Sequence, residues 1–171
     1  MKRLTLMRHA KSSWENDSLD DFDRPLNARG LRAAPEMGRR LRALGDLPEL
    51  ILSSPAERAI ETARLVAAEI SYPKGRILEA PGLYHASPAK ILEILQSLES
   101  AAHHVMVVGH NPGMTEFANA LGEIRIDNMP TAGMLCVDLP GEVWSEIDMD
   151  GAEAVYFDYP KNPDRPDRAA R

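Results

Sequence analysis

The chain has 171 residues, 44% of them hydrophobic, and its 20 Lys and Arg against 26 Asp and Glu give a formal charge of −6 at pH 7. A domain of this length buries about 70% of its unfolded surface without staples, and the single cysteine, Cys136, has no second cysteine to form a disulfide with. The acidic balance argues against a protein that binds nucleic acid or membrane surfaces, and no apolar run approaches the ~18 residues of a membrane span. We therefore expect a soluble, cytoplasmic protein.

Short apolar runs bounded by polar residues alternate with segments of helical periodicity. The runs predict strands at 4–7, 50–53, 76–78, 105–108, 134–139 and 154–157. Asn27 and Gly45 have the residue types that begin and end a helix, and Pro35 between them favours a kink or a later start. Ser54 and Ser87, each followed by proline, are the predicted N-caps of the next two helices.

Strands that alternate with helices predict a three-layer α/β/α sandwich with a mostly parallel central sheet. We assign residues 1–159 to one domain of this kind. Residues 160–171 contain three prolines and no apolar periodicity, so we expect a flexible C-terminal tail. Ligands of such sheets bind beyond the carboxyl ends of the strands, and the residues that follow the strands are therefore the candidates for a functional site.

Basic and imidazole side chains follow three of the predicted strands. Arg8 and His9 end the first, Arg58 lies in the helix after the second, and His110 follows the fourth. Taken singly, each histidine is typical of a packed residue and Arg58 of a solvated charge. If the strands are neighbours, however, the four side chains meet at one sheet edge, where their mutual repulsion requires an anionic partner.

Phosphate is the anion that this combination favours. Arginine binds phosphate oxygens with paired hydrogen bonds, and the N-terminus of a helix that starts near Ser54 adds backbone N–H groups. A neutral imidazole can attack phosphorus and form a covalent intermediate, while the cations stabilise charge on the transferring group.

Three segments resemble the motifs of one family. Residues 6–10 (LMRHA) are similar to the Arg-His-Gly signature of the histidine phosphatase superfamily, with Ala10 in place of the usual glycine. Residues 53–63 (SSPAERAIETA) resemble its second arginine motif, and residues 107–112 (VVGHNP) its second histidine motif. The resemblance implies the phosphoglycerate mutase-like fold, and the short chain with its 23–26 segment (DRPL) is most similar to SixA-type phosphohistidine phosphatases.

The resemblance implies a role for each matched residue. His9 is the expected nucleophile and phosphoryl acceptor, and Arg8, Arg58 and His110 are expected to surround the phosphate. Arg24 is either a further phosphate or substrate contact or a surface charge held by a neighbouring aspartate. No metal or other cofactor is expected.

The chain departs from the family at the proton donor. Many members carry a glutamate that protonates the leaving oxygen, but Gly82 aligns near that position, which leaves Glu79, Tyr84 and His85 as candidate acids. General acid catalysis contributes about 10²–10⁴-fold, and an imidazole leaving group needs it less than an alkoxide does. The sequence therefore favours phosphohistidine in a phosphoprotein as the substrate.

Two alternatives stay open at this point. One is a broad phosphatase of small phosphorylated molecules in which Glu79 or His85 acts as the acid, and the other is a non-catalytic phosphate-binding module. A metal site at His103 and His104 is disfavoured because adjacent strand residues point to opposite faces. The expected partner is a phosphorylated protein or a small phosphorylated substrate, and the expected oligomeric state is a monomer.

Overall fold

The computed structural model describes residues 1–167, so residues 168–171 of the predicted tail lie outside the described residues. Within residues 1–167, the strands are β1 (Lys2–Arg8), β2 (Leu50–Ser53), β3 (Leu78–Glu79), β4 (His104–Gly109), β5 (Met134–Leu139) and β6 (Glu153–Asp158). The α-helices are α1 (Ala28–Leu44), α2 (Glu57–Glu69), α3 (Pro88–Gln96) and α4 (Gly113–Asn119). Short 3-10 turns cover Asp21–Asp23, Lys74–Arg76, Pro81–Leu83 and Trp144–Glu146.

The strands form a single mixed sheet in the order β3-β2-β4-β1-β5-β6. Strands β3, β2, β4 and β1 pair in parallel, whereas β5 pairs antiparallel with both β1 and β6. Among the described strands, β5 alone therefore runs in the opposite direction. The predicted α/β class with a mostly parallel sheet is confirmed.

The sheet separates two apolar cores. Along β4, Met106 and Val108 pack in the core beneath α1 and α2, whereas Val105 and Val107 pack in the core beneath α3 and α4. All four side chains are fully buried, as expected for a strand whose alternate residues face two covered sides. Burial of such a side chain contributes about 1.5–3 kcal/mol to folding. The packing of the two cores therefore fixes which residues of β4 lie at its carboxyl end.

Strand pairing brings the carboxyl ends of β1, β2 and β4 together. Arg8 is in register with Gly109, and the N–H of His9 donates to the Gly109 carbonyl over 3.0 Å. On the other side of β4, the N–H of Ser54 donates to the Val108 carbonyl over 3.0 Å. The residues that follow these three strands therefore start from neighbouring backbone positions.

Most of the predicted helix ends are confirmed. The Asn27 side chain accepts a hydrogen bond from the N–H of Gly30 at the start of α1, and Gly45 ends that helix in the left-handed conformation with φ 86°. Ser87 caps α3 by accepting from the N–H of Lys90. The helix α1 begins well before Pro35, so the later start is not observed.

The cap predicted at Ser54 is wrong. Helix α2 begins at Glu57, and its N-cap residue, Ala56, makes no side-chain capping bond. Ser54 instead continues the β2 ladder, and its hydroxyl lies 2.7 Å from His110 Nε2. The predicted strand at 76–78 is also displaced, because Lys74–Arg76 forms a 3-10 turn and β3 pairs through Leu78–Glu79.

The first part of the predicted tail contacts α1. Arg40 donates hydrogen bonds of 2.9 Å to the carbonyls of Tyr159 and Pro160, and Arg165 lies 3.7 Å from Glu36. The flexibility of residues 160–167 stays a prediction. No helix within residues 1–167 is long and apolar enough to cross a membrane.

Candidate active site

Two buried imidazoles meet at the carboxyl ends of β1 and β4. The ring centroids of His9 and His110 are 5.1 Å apart, and the two residues are 7% and 4% exposed. The structure thus brings together the two histidines that lie about a hundred positions apart in the sequence.

The His9 ring is held in one tautomer. Its Nδ1 lies 2.7 Å from the Ala10 carbonyl oxygen, an acceptor only, so Nδ1 carries the proton and Nε2 keeps its lone pair. Burial lowers the pKa of His9 to about 4, and the nearby cations of Arg58 and Arg8 act in the same direction. At neutral pH the ring is therefore uncharged, with its Nε2 lying 3.4 Å from Nε of Arg58.

His110 is also uncharged and presents a nitrogen that has no partner. Burial lowers its pKa to about 3, helped by repulsion from His9 and Arg58. Its Nε2 lies 2.7 Å from the Ser54 hydroxyl, whose oxygen also accepts from the N–H of Ala56. Within the described residues, Nδ1 of His110 is buried without a hydrogen-bond partner. When the Ser54 hydroxyl donates to Nε2, the ring proton lies on Nδ1, and Nδ1–H can then donate to an anion.

Arg58 is oriented by Asp21, a residue that the sequence did not place in the site. The guanidinium donates to the Asp21 backbone carbonyl over 2.6 Å and to its carboxylate over 2.9 Å. The Tyr84 hydroxyl donates to the same carboxylate over 2.6 Å, and His85 Nε2 lies 3.2 Å from it. Partial burial acts to raise the pKa of Asp21, but the bonds from Tyr84 and Arg58 hold it well below its usual range. Asp21 is therefore ionised at neutral pH.

Arg24 pairs with a neighbouring aspartate, as one of its two predicted alternatives has it, although it is buried, and its role as a phosphate or substrate contact stays a prediction. It pairs with the Asp21 carboxylate at 3.1 Å, it is 7% exposed, and it lies in the wall of a cavity that His9 and His110 also line. The Ser12 hydroxyl accepts a 2.9 Å bond from it, and its guanidinium lies 3.5 Å from the centre of the exposed Trp14 ring. Stacking and pairing together fix the direction of this cation.

Arg8 supplies a second unsatisfied donor. Its Nη1 donates to the Met129 carbonyl over 3.0 Å, but within residues 1–167 its Nε is buried without a partner. The segment that holds it is anchored to β1, because the N–H of Ala132 donates to the carbonyls of Arg8 and His9 over 3.1 Å. Thr131 in this segment reaches the cavity wall.

These side chains enclose a cavity of about 300 Å³, hereafter the catalytic cavity. Its wall consists of Arg8, His9, Lys11, Ser12, Trp14, Asp21, Arg24, Arg58, His85, His110, Asn111 and Thr131. Three arginines and a lysine thus face one carboxylate, which makes the cavity a site for an anion. Of the candidate acids, His85 lies in the wall, Tyr84 contacts it through Asp21, and Glu79, exposed on β3, is not part of it.

The sequence contained only weak signals for the residues that were missed. Asp21 belongs to an aspartate-rich loop that looked like solvated charge, and Ser54 looked like a helix cap. Among residues 1–167, no group of three or more His, Cys, Asp or Glu side chains is placed to hold a metal ion.

Solved structures share this fold. A SixA protein of Agrobacterium tumefaciens matches with a TM-score of 0.80 and 26% identity over 93% of this chain and 98% of its own. The protein histidine phosphatase SixA complexed with tungstate matches with a TM-score of 0.78 and 22% identity, over 92% of this chain and 97% of its own. The fold and the anion site together define a phosphatase, an enzyme of the hydrolase class.

Sequence comparisons identify the family. An uncharacterized protein of Mycobacterium tuberculosis is 33% identical over 165 residues, which cover 91% of this chain and 100% of the relative. An uncharacterized chloroplastic protein of Arabidopsis thaliana is 35% identical over 153 residues, which cover 85% of this chain and 70% of the relative. The model of the histidine phosphatase superfamily (branch 1) matches residues 4–83. The chain belongs to the histidine phosphatase superfamily and is of the SixA type.

Proposed function

We propose that the chain is a metal-independent phosphatase in which Nε2 of His9 accepts the phosphoryl group, and that its substrate is phosphohistidine in a phosphoprotein. One observation carries the proposal. A neutral, buried imidazole has its proton fixed on Nδ1 by the Ala10 carbonyl, and its Nε2 lone pair faces the Arg58 guanidinium. This is the protonation state that nucleophilic attack on phosphorus requires.

The unsatisfied donors of the free cavity would bind the phosphoryl oxygens. Arg8 Nε and His110 Nδ1 have no partner among the described residues, and a phosphate fills that gap with charge-assisted hydrogen bonds. Arg58, held by Asp21, lies beside the attacking nitrogen and would neutralise charge on the equatorial oxygens in the transition state.

The reaction then runs in two displacements. His9 Nε2 attacks phosphorus, the bond from phosphorus to the substrate nitrogen breaks, and the substrate imidazole leaves with a proton on its other nitrogen. Water next attacks phospho-His9, and the bond from phosphorus to Nε2 breaks. Inorganic phosphate is released, and the neutral His9 ring is restored. Both protons of the attacking water leave with the phosphate, because Nδ1 of His9 keeps its own proton throughout.

The state of the carboxyl groups supports an imidazole leaving group. The Asp21 carboxyl is ionised, since its hydrogen bonds hold its pKa well below the usual range, and Glu79 is outside the cavity wall. Neither can protonate a leaving alkoxide at neutral pH, whereas a protonated phosphoimidazole leaves without that help. A phosphomonoesterase remains the second candidate because His85, paired with Asp21 in the cavity wall, is placed to act as a proton donor.

Rapid quench with ³²P-labelled phosphoramidate and a labelled phosphohistidine peptide tests the proposal. We expect one acid-labile, alkali-stable phosphoryl group per wild-type chain, no label on His9→Asn, and turnover that EDTA does not change. Binding without label or turnover would identify a phosphate-binding module instead. A clear preference for an alkyl phosphate over phosphoramidate would favour the phosphomonoesterase.

A further inference from the structure

A second cavity, of about 570 Å³, adjoins the catalytic cavity. The two cavities share Lys11 and Thr131 in their walls. The second one lies between the first turns of α1 and the residues that follow β6, and we call it the basic pocket because Lys11, Arg29, Arg32 and Lys161 line it. It is the larger of the two, and nothing in the proposed chemistry at His9 uses it.

The walls of the basic pocket are fixed to the fold from two sides. The Lys11 carbonyl accepts a 2.9 Å bond from the N–H of Asn27 at the start of α1. It lies so close to α1 that a Cβ on Gly30 would be 2.2 Å from it. On the far side, Arg40 holds the carbonyls of Tyr159 and Pro160. The pocket is therefore built by tertiary contacts between segments that are distant in the sequence.

The charge of the basic pocket opposes that of the whole protein. Within residues 1–167, none of the four basic side chains forms an ion pair. The one acidic residue in the wall, Glu36, is bound by Arg39 at 3.1 Å and by Arg40 at 3.2 Å. Four uncompensated cations on a chain of net charge −6 are a local attraction for acidic groups.

We propose that the basic pocket binds acidic residues of the substrate polypeptide, two to four positions from its phosphohistidine. The proposal rests on the proposed function. An extended chain advances about 3.3–3.6 Å per residue, so residues at these positions reach beyond the 300 Å³ catalytic cavity. The Tyr159 ring and Pro130 in the wall offer apolar surface to the peptide backbone and the side-chain methylenes. A polypeptide fits the arrangement because one extended chain can enter both cavities past Lys11, which lies in the wall of each.

Matched peptides test this inference. Two phosphohistidine peptides that differ only in Glu or Gln at the second to fourth positions on both sides of phosphohistidine are compared with phosphoramidate, which is too small to reach the basic pocket. For the wild type we expect a kcat/KM about tenfold higher on the Glu peptide than on the Gln peptide, with the difference shrinking as salt shortens the range of charge interactions.

Charge-reversed variants locate the effect. Arg29→Glu with Arg32→Glu, and separately Lys161→Glu, should remove most of the preference for the Glu peptide and leave phosphoramidate turnover unchanged. Lys74→Glu with Arg76→Glu is the matched control, since it makes the same charge change as the double variant on exposed residues outside both cavities. The control should keep the preference.

Each other outcome is decisive. Equal rates of the wild type on both peptides, or an equal loss on all substrates in the variants, would overturn the docking inference while the proposed function stands. If the wild type hydrolyses neither phosphoramidate nor either peptide, the proposed function itself fails. A loss confined to a sugar bisphosphate, with both peptides unaffected, would assign the basic pocket to the second phosphate of a metabolite and overturn the inference.

Discussion

Both ends of the β1–β4 pair carry buried imidazole groups and arginines, yet the two ends are built differently. At the amino end, Arg3 of β1 is in register with His104 of β4. At the carboxyl end, Arg8 is in register with Gly109, and His9 and His110 follow. The same two strands and the same residue types thus form two clusters, one at each edge of the sheet.

Carboxylates neutralise the positive charge at the amino end. Arg3 donates two bonds, of 2.7 and 2.8 Å, to the Asp138 carboxylate and a third to Asp46. His104 Nε2 lies 2.7 Å from the Thr5 hydroxyl, and its Nδ1 faces Asp46 at 3.6 Å. Two carboxylates thus form ion pairs with one arginine. Through Asp46, the cluster also connects the sheet to the segment after α1.

The carboxyl end is left short of carboxylates. Asp21 is the one acid in the wall of the catalytic cavity, against three arginines and Lys11. The difference between the ends therefore lies in the acids, and the histidines and arginines alone do not distinguish a structural cluster from a site that binds an anion.

The largest contrast is expected in turnover. His9→Asn removes the proposed nucleophile, and loss of a covalent nucleophile costs on the order of 10⁶-fold in kcat. His104→Gln keeps an amide near Thr5 and should leave kcat on phosphoramidate within about twofold of the wild type. Steady-state rates of the two folded variants check this. Near-normal turnover in His9→Asn, or a similar loss in both, would contradict it.

Two aspartate variants should separate activity from stability. Asp21→Asn weakens the side-chain bonds from Arg58 and Tyr84, and misplacement of a group by about 1 Å can cost up to about 10²-fold in rate. Stability should fall as well, because those bonds hold the pKa of Asp21 below its usual range. Asp46→Asn weakens the bond to Arg3 and should lower the free energy of unfolding by about 1 kcal/mol with kcat unchanged. Phosphoramidate kinetics and urea unfolding of both variants provide the measurement. A fall in stability without a fall in rate for Asp21→Asn would remove its positioning role.

The smallest difference between the ends is expected in the pH dependence of stability. Burial lowers the pKa of His9 and His104 to about 4 and that of His110 to about 3, from an ordinary value near 6.5. Below pH 6.5 the unfolded chain binds protons that the folded chain does not, so stability falls as the pH drops from 6.5 to 4. Each histidine contributes a slope of up to about 1.4 kcal/mol per pH unit.

Because the cause is burial at both ends, His9→Asn and His104→Gln should flatten this decline by similar amounts. Urea unfolding at pH 6.5, 5.5 and 4.5 measures the slopes. A slope that either variant leaves at its wild-type value would show that the histidine it replaces is already solvated in the folded chain.

The element pattern of the fold was predictable because its signals are local. Periodicity and turn residues placed β2 at 50–53 and β5 at 134–139, as observed, and Asn27 and Ser87 as caps. The prediction was wrong at Ser54, where the local cap signal lost to a backbone bond with Val108 of the neighbouring strand. Arg8, His9, Arg58 and His110 could be found because each lies at or shortly after the end of a strand, whereas Arg24 was indicated only by the family resemblance of residues 23–26.

The sequence by itself determined the order of strands and helices, the family motifs and the identities of His9, Arg8, Arg58 and His110. Only the tertiary structure decided which acid holds Arg58, which hydroxyl faces His110, which candidate donor lies in the cavity wall, and that a basic pocket adjoins it. The physical reason is distance along the chain. A hydrogen bond or an ion pair depends on atoms within a few ångströms, and packing of the two cores brings together side chains that no local pattern relates.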